Sequence, residues 1–283
     1  MIYVNGEWQK EAVAYVSIND LGFLYGDSLF ETIRSINGRL FKPQIHFDRL
    51  ENGFKKLRYE NTPDYDTFLS LLNDFIMRND FQNGMIRFIV TRGLGTMEAP
   101  WSYVGKTNIY IKGRPLPKLP DFPAHINFVN EEDYPVARFN PAIKSGNYLA
   151  NMLAKKDADA INSFEPIFYN KSKYITEGAL RNIFFIRGNM LFTPALSLGV
   201  LPGVIRNLVL KLAPMCNLLQ METIIRYEDI DGMDEAFITS TGIGILPVTW
   251  DGFESDSIKT YELMKLLDKE FYPTEEAIRF DNS

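Results

Sequence analysis

Apolar and polar residues alternate on either side of Asn5-Gly6, over residues 2–8, and again around Asn37-Gly38, over residues 30–41. Asn-Gly between two such runs is the favoured two-residue hairpin turn, because both central positions need positive φ. The period then changes. Between His46 and Leu57 the apolar positions are Phe47, Leu50, Phe54 and Leu57, a stripe at helical spacing. Tyr65 to Met77 repeats it with Phe68, Leu69, Leu72, Phe75 and Ile76. Met85–Thr91 and Thr107–Lys112 read as strands. Residues 1–113 are therefore expected to form a small α+β unit of antiparallel strands and two helices.

Prolines 115, 117 and 120 then make a stiff, extended stretch, which places an interdomain linker at 114–122. Residues 123–283 form the larger expected unit. It opens with a strand near His125–Asn130. A helix over Tyr148–Asp159 follows, with Leu149, Met152 and Leu153 inward. Pro166–Phe192 reads as a meander with turns at Asn170–Lys173 and Arg187–Asn189. Pro202-Gly203 precedes a helix over Val204–Leu212. Glu235–Thr239 is a strand that runs into Ser240-Thr241-Gly242-Ile243-Gly244. Ser257–Phe271 is a closing helix, and the residues through Ser283 are expected to fray.

The chain has 283 residues, 21 of them Phe and 14 Tyr, enough for a substantial core. A net charge of -6 without a long basic run argues against nucleic-acid binding. No apolar run reaches the ~18 residues of a membrane span. Met1–Glu7 carries no basic stretch followed by a long apolar run, so no secretory signal is expected. Cys216 is the single cysteine, which excludes an internal disulfide and fits a cytoplasmic location. With 2 histidines and one cysteine, no metal site is expected. A Ser-His-Asp hydrolase is disfavoured too, since no G-x-S-x-G turn occurs. Lysine, carboxylates and an organic cofactor remain as carriers of chemistry.

Lys144 stands in Asn140-Pro141-Ala142-Ile143-Lys144-Ser145-Gly146-Asn147, between an apolar approach and an expected helix start. Both surroundings favour a neutral amine able to attack a carbonyl carbon. Gly203-Val204-Ile205 offers free backbone N–H groups at a helix start, suited to an anion. Ser240-Thr241-Gly242 adds two hydroxyls after a strand. Arg49, beside the first apolar stripe, can pair with a phosphate. Glu177 ends a strand among apolar residues and needs a partner. Taken singly, each has an ordinary explanation as a cap, a turn or a solvated charge. Gly242-x-Gly244 meets Pro247 where a dinucleotide fingerprint needs glycine.

Ordered blocks extend over nearly the whole chain. They are Leu21–Arg34, His46–Leu50, Ile143–Leu149, Tyr174–Asn182, Leu201–Arg206 and Glu235–Thr241. Together they resemble the class IV, fold-type IV family of pyridoxal-phosphate enzymes, which includes branched-chain aminotransferases, D-amino-acid aminotransferases and aminodeoxychorismate lyases. The resemblance implies an α+β fold with a small sandwich-like N-terminal domain, a larger pseudo-barrel C-terminal domain, and a homodimer. It implies that Lys144 holds pyridoxal 5'-phosphate covalently and then moves the substrate's α-proton. Glu177 would face the ring nitrogen. Arg49, the backbone at Val204 and Ile205, Ser240 and Thr241 would hold the phosphate. Tyr148 would lie near the ring hydroxyl, although its spacing from the lysine is one residue shorter than in branched-chain enzymes. Tyr25, Phe30, Arg87 and Thr241 would line the substrate pocket. D-specific enzymes place an arginine and a histidine after the turn at Val90–Gly93; Leu94–Pro100 has neither. The expected activity is transamination of branched-chain or other aliphatic L-amino acids with 2-oxoglutarate as acceptor. Lys144-x-x-Asn147 and the Gly22–Arg34 block also fit a lyase that splits 4-amino-4-deoxychorismate into 4-aminobenzoate and pyruvate. A cofactor-free scaffold with a degenerate site is the reading from another class, and the joint presence of Lys144, Glu177 and Arg49 opposes it.

Overall fold

A computed structural model describes residues 1–96, 103–120 and 123–273, with the backbone alone at Tyr103 and Val104. Met97–Pro100, residues 121–122 of the expected linker, and the expected frayed end lie outside the described residues. The chain divides into two compact units. The first comprises Met1–Leu116 with Ile143–Tyr148, and the second Pro117–Ala142 with Leu149–Ser283.

The first unit contains β1 (Ile2–Val4), β2 (Glu7–Gln9), α1 (Leu21–Tyr25), β3 (Ser28–Ile36), β4 (Arg39–Leu40), α2 (Pro43–Leu57), α3 (Tyr65–Asn79), β5 (Gly84–Thr91), β6 (Leu94–Gly95), β7 (Tyr103–Val104) and β8 (Asn108–Arg114). Its main sheet has the order β2-β1-β8-β5-β3-β4, antiparallel throughout. Asn5 and Gly6 take φ of 45° and 106°, and Asn37 and Gly38 take 49° and 74°, so both turns have the backbone that Asn-Gly favours. The apolar stripes of α2 and α3 pack on Leu29, Ile33, Ile86 and Phe88 of the sheet. The alternation in β3 does not separate a wet face from a dry one. All nine residues of this strand are buried, so its pleat sorts side chains between two covered faces.

The second unit contains β9 (Ala124–Asn130), α4 (Leu149–Ala160), β10 (Glu165–Tyr169), β11 (Ile175–Gly178), β12 (Asn182–Arg187), β13 (Met190–Pro194), α5 (Val204–Leu212), β14 (Leu219–Thr223), β15 (Glu235–Ser240), β16 (Gly244–Thr249) and α6 (Ile258–Phe271). The strand order is β11-β10-β9-β16-β15-β12-β13-β14. The expected meander is therefore two hairpins, β10–β11 and β12–β13, separated by β9, β16 and β15. Three residues, Ala179–Arg181, link β11 to β12. Across five strand spacings a flat sheet would hold those strands ~24 Å apart. Four residue steps reach at most ~14 Å. The sheet consequently curls into a half-barrel, with Ile126, Ile167, Ile183, Phe185, Ile238 and Leu246 in its apolar core.

The expected inward face of α4 is wrong. Leu149, Met152 and Leu153 are 74%, 43% and 48% exposed. Asn151, Ala154 and Ala158 are the buried residues. These also recur at helical spacing, and their small size lets the helix lie close to the sheet. The Asn151 amide donates to the Ala179 carbonyl at 2.8 Å, which satisfies the one polar side chain in that stripe.

Candidate active site

Residues 143–148 run beside β3 as an irregular segment, tied to it by a single bridge at Ser145. Lys144 O accepts from Phe30 N at 2.9 Å, Gly146 N donates to Ser28 O at 2.8 Å, and Ser145 bridges Leu29. The helix start expected at Ser145–Asn147 is absent, and α4 begins at Leu149. Competition from β3 explains this, since its backbone satisfies groups that a helix would otherwise use. Asn147 Nδ2 donates to Gly26 O at 3.1 Å and closes the attachment. A Cβ on Gly146 would collide with Ser28 Oγ, so glycine permits this close approach.

That attachment fixes the lysine. Lys144 Nζ lies 3.1 Å from Tyr148 Oη and 4.6 Å from the centre of the Phe30 ring. Tyr148 meets Phe30 edge-to-face at 5.4 Å, and the Arg87 guanidinium lies 4.6 Å above the Phe30 ring. Lys144, Tyr148, Phe30 and Arg87 thus come together, with the shortened Lys–Tyr spacing still allowing a hydrogen bond. Tyr25 is 58% exposed on α1. That helix is anchored by buried Asp20, which accepts from Gly22 N, Thr91 Oγ1, Asn108 Nδ2 and Tyr110 Oη, each at 2.8 Å.

Arg49 lies beside the apolar stripe of α2, as its spacing suggests, but it does not point to water. Its Nε and Nη2 donate to Glu31 Oε1 and Oε2, both at 2.7 Å. His46 Nδ1 lies 2.7 Å from Glu31 Oε2. Glu31 and His46 are fully buried, on the helix-facing side of β3. Burial alone would raise the Glu31 pKa, but the charge and hydrogen bonds of Arg49, with help from His46, hold it down at about 2. Burial pushes the His46 pKa down, partly offset by Glu31.

Both shifts make the fold acid-labile. Glu31 contributes stability above its unfolded value of 4.5, and this is lost as pH falls through about 2. The unfolded chain takes up the His46 proton below about 6.5 while the buried imidazole resists it, which also favours unfolding. We expect the melting temperature to fall from pH 6.5 to pH 3, and less steeply in Glu31→Gln. Thermal melts across that range check this; parallel profiles for the two proteins would contradict it.

In the second unit Glu177 closes β11 on a set of donors. Arg138 Nη1 pairs with its Oε1. Asn182 Nδ2 and Leu201 N both donate to its Oε2 at 3.2 Å. Arg138 also donates to Glu131 through Nη2 at 2.7 Å, and to Thr176 Oγ1 at 3.0 Å. Burial works against the Arg138 charge, but Glu177 and Glu131 together raise its pKa, so the cation is secure.

Asn182 connects this carboxylate to the anion-suited elements. Its amide donates to Leu201 O at 2.9 Å, and it pairs with Thr239 across β12 and β15. A Cβ on Gly203 would strike Asn182 Oδ1. Gly203 is the N-cap of α5 and has no side chain to occupy the N–H groups that follow, at Val204 and Ile205. Ser240 and Thr241 lie at the β15–β16 turn, next to Thr239, whose buried hydroxyl has no partner among the described residues. Backbone N–H groups, hydroxyls and a helix N-terminus suit a phosphate. Glu177 suits a cationic ring nitrogen. The residues present therefore fit pyridoxal 5'-phosphate.

Glu31, His46, Arg138 and Asn182 escaped the sequence reading. The burial signal for Glu31 was present, since it stands between Leu29 and Ile33 on one face of a strand.

The family model for Amino-transferase class IV matches residues 28–250. A protein of Methanocaldococcus jannaschii, named provisionally as a branched-chain-amino-acid aminotransferase, is 32% identical over 95% of this chain and 94% of its own length. The aminodeoxychorismate lyase of Bacillus subtilis is 31% identical over 88% of this chain and 86% of its own. The crystal structure of the Escherichia coli branched-chain amino acid aminotransferase superposes with a TM-score of 0.86 at 26% identity, covering 95% of this chain and 94% of that one. The curled sheet and the second, antiparallel sheet are thus those of a fold-type IV enzyme, and the chain belongs to the class IV aminotransferases, a pyridoxal-phosphate-dependent enzyme family.

Proposed function

We propose that this protein binds pyridoxal 5'-phosphate and transfers the amino group of branched-chain or other aliphatic L-amino acids to 2-oxoglutarate. The observation that carries this reading is the Lys144 amine, held by the β3 attachment against Tyr148 and Phe30. When bound, the cofactor supplies the electron sink that lets a C–H bond beside nitrogen ionise. Lys144 takes the proton from the substrate's α-carbon and returns it elsewhere, in place of a histidine. Tyr148 Oη accepts from Lys144 Nζ and limits where the amine can swing. The Glu177 carboxylate, oriented by Arg138, would hold a proton on the ring nitrogen. Arg49, the Val204 and Ile205 N–H groups, Ser240 and Thr241 bind the phosphate.

Phe30 and Tyr148 give the lysine an aromatic wall suited to an aliphatic side chain, and Arg87 supplies a cation for a substrate carboxylate. Tyr25 and Thr241 are the remaining residues proposed to meet the substrate. The exposed Leu149, Met152 and Leu153 support a homodimer, in which such a face would be covered. No helix among the described residues is long and apolar enough to cross a membrane, and the single cysteine is buried; both suit a cytoplasmic enzyme.

The Bacillus relative favours a second reading, the aminodeoxychorismate lyase reaction, at nearly the same identity. One assay separates the two. L-Leucine plus 2-oxoglutarate should yield glutamate, with activity falling away when the acceptor is omitted. Pyruvate released from aminodeoxychorismate without any acceptor, and no glutamate from leucine, would replace the first reading with the second.

A further inference from the structure

The Glu31–Arg49 pair is unusual for its place. Glu31 is wholly buried in a sheet face otherwise lined by Leu29, Ile33 and the apolar stripe of α2. A buried ion pair seldom adds net stability, because desolvation of both charges offsets their attraction, and an apolar pair of similar volume serves a core as well or better. What such a pair does provide is direction. Arg49 is gripped side-on, Nε and Nη2 each on a separate carboxylate oxygen, and this fixes the plane of the guanidinium as a single hydrogen bond could not. Glu31 is itself oriented by His46, whose Nδ1 meets the same Oε2 that takes Arg49 Nη2. His46 and Arg49 are one helical turn apart on α2, and Glu31 faces both from β3, so sheet and helix converge on one carboxylate.

We propose that Glu31, braced by His46, is a positioning residue that sets the Arg49 guanidinium for the cofactor phosphate. This rests on the reading that Arg49 binds that phosphate. Two effects of Glu31 oppose each other. Its negative charge weakens the pull of Arg49 on a phosphate dianion, while its two hydrogen bonds hold the guanidinium in one plane. The proposal states that orientation wins. It also assigns the depressed Glu31 pKa a use, since a carboxylate that stays ionised keeps both acceptors available to Arg49.

The test measures affinity of the cofactor-stripped full-length protein for two probes, pyridoxal 5'-phosphate and pyridoxal, which lacks the phosphate. Arg49→Ala should lose affinity for the phosphorylated probe and keep its affinity for pyridoxal. Glu31→Gln preserves shape and removes the charge. It should lose about tenfold or more in affinity for pyridoxal 5'-phosphate, the scale seen when a buried partner that orients a ligating group is removed, again with pyridoxal unchanged. Glu31→Asp keeps the charge but withdraws the carboxylate by one methylene. It should show the same selective loss, and it serves where the glutamine variant fails to fold. If Glu31→Gln binds the phosphorylated probe as well as or better than the parent while Arg49→Ala loses it, the positioning role is overturned and the phosphate role of Arg49 stands. Equal losses for both probes in the Glu31 variants would mark a general structural defect and also overturn the proposal. If Arg49→Ala discriminates between the probes no more than the parent does, the underlying reading of Arg49 has failed.

Discussion

Lys144→Ala is expected to abolish covalent retention of the cofactor and to lower turnover by about 10² to 10⁴-fold, the scale of a lost general acid–base group. Histidine offers no substitute. His46 Nδ1 is committed to Glu31, and His125 pairs with Asp251 at 3.1 Å on an exposed surface. The fold should tolerate the change, because the attachment of residues 143–148 runs through backbone groups at Phe30, Ser28 and Gly26, which an alanine leaves intact. The check is turnover, together with the visible absorption of the purified variant after incubation with pyridoxal 5'-phosphate. Parent-like rates in a folded variant would remove Lys144 from the chemistry.

Glu177→Gln is expected to have the next largest effect, a loss of roughly 10²-fold in kcat, as when a preorganised charge is removed from a reacting centre. The glutamine occupies the same space at the end of β11 but carries no charge. Arg138 then retains Glu131 and Thr176 as partners, so the ion-pair network survives while the charge proposed to face the ring nitrogen is gone. Cofactor retention should persist, because Lys144, Arg49, Ser240 and Thr241 are untouched. Measuring kcat alongside bound cofactor separates the two effects. An unchanged kcat would show that the carboxylate plays no part in holding a proton on the ring.

Local chemistry was the most legible part of the chain. Asn5-Gly6 and Asn37-Gly38 announced their turns because positive φ is a property of those residues themselves. The α2 stripe and the Pro202-Gly203 start of α5 were readable for the same reason. Non-local pairing was not. Leu219–Thr223 alternates over too few residues to stand out as a strand; β14 is an exposed edge, held by its parallel ladder to β13. Gly244–Thr249 was hidden by its proline. Pro247 pairs only with Phe237 of β15, and the β9 ladder starts one residue later at Val248, so a central strand tolerates it.

The site divides along the same line. Lys144, Glu177, Arg49 and the anion-suited turns could be picked out by residue type and by family resemblance. Their supports could not, because Glu177 and Arg138, or Glu31 and Arg49, meet only through folding. The misread face of α4 has a related origin. Two stripes at helical spacing run along that helix; size favours Leu149, Met152 and Leu153, whereas close packing selects the smaller Asn151, Ala154 and Ala158.

The most direct measurement is to load the protein with pyridoxal 5'-phosphate, reduce it with borohydride to fix the cofactor irreversibly to its lysine, and map the modified peptide by mass spectrometry. The adduct should fall on the peptide that carries Lys144 and on no other. A stoichiometric adduct on a different lysine, or no adduct at saturating cofactor, would contradict the assignment of Lys144 and the mechanism built on it.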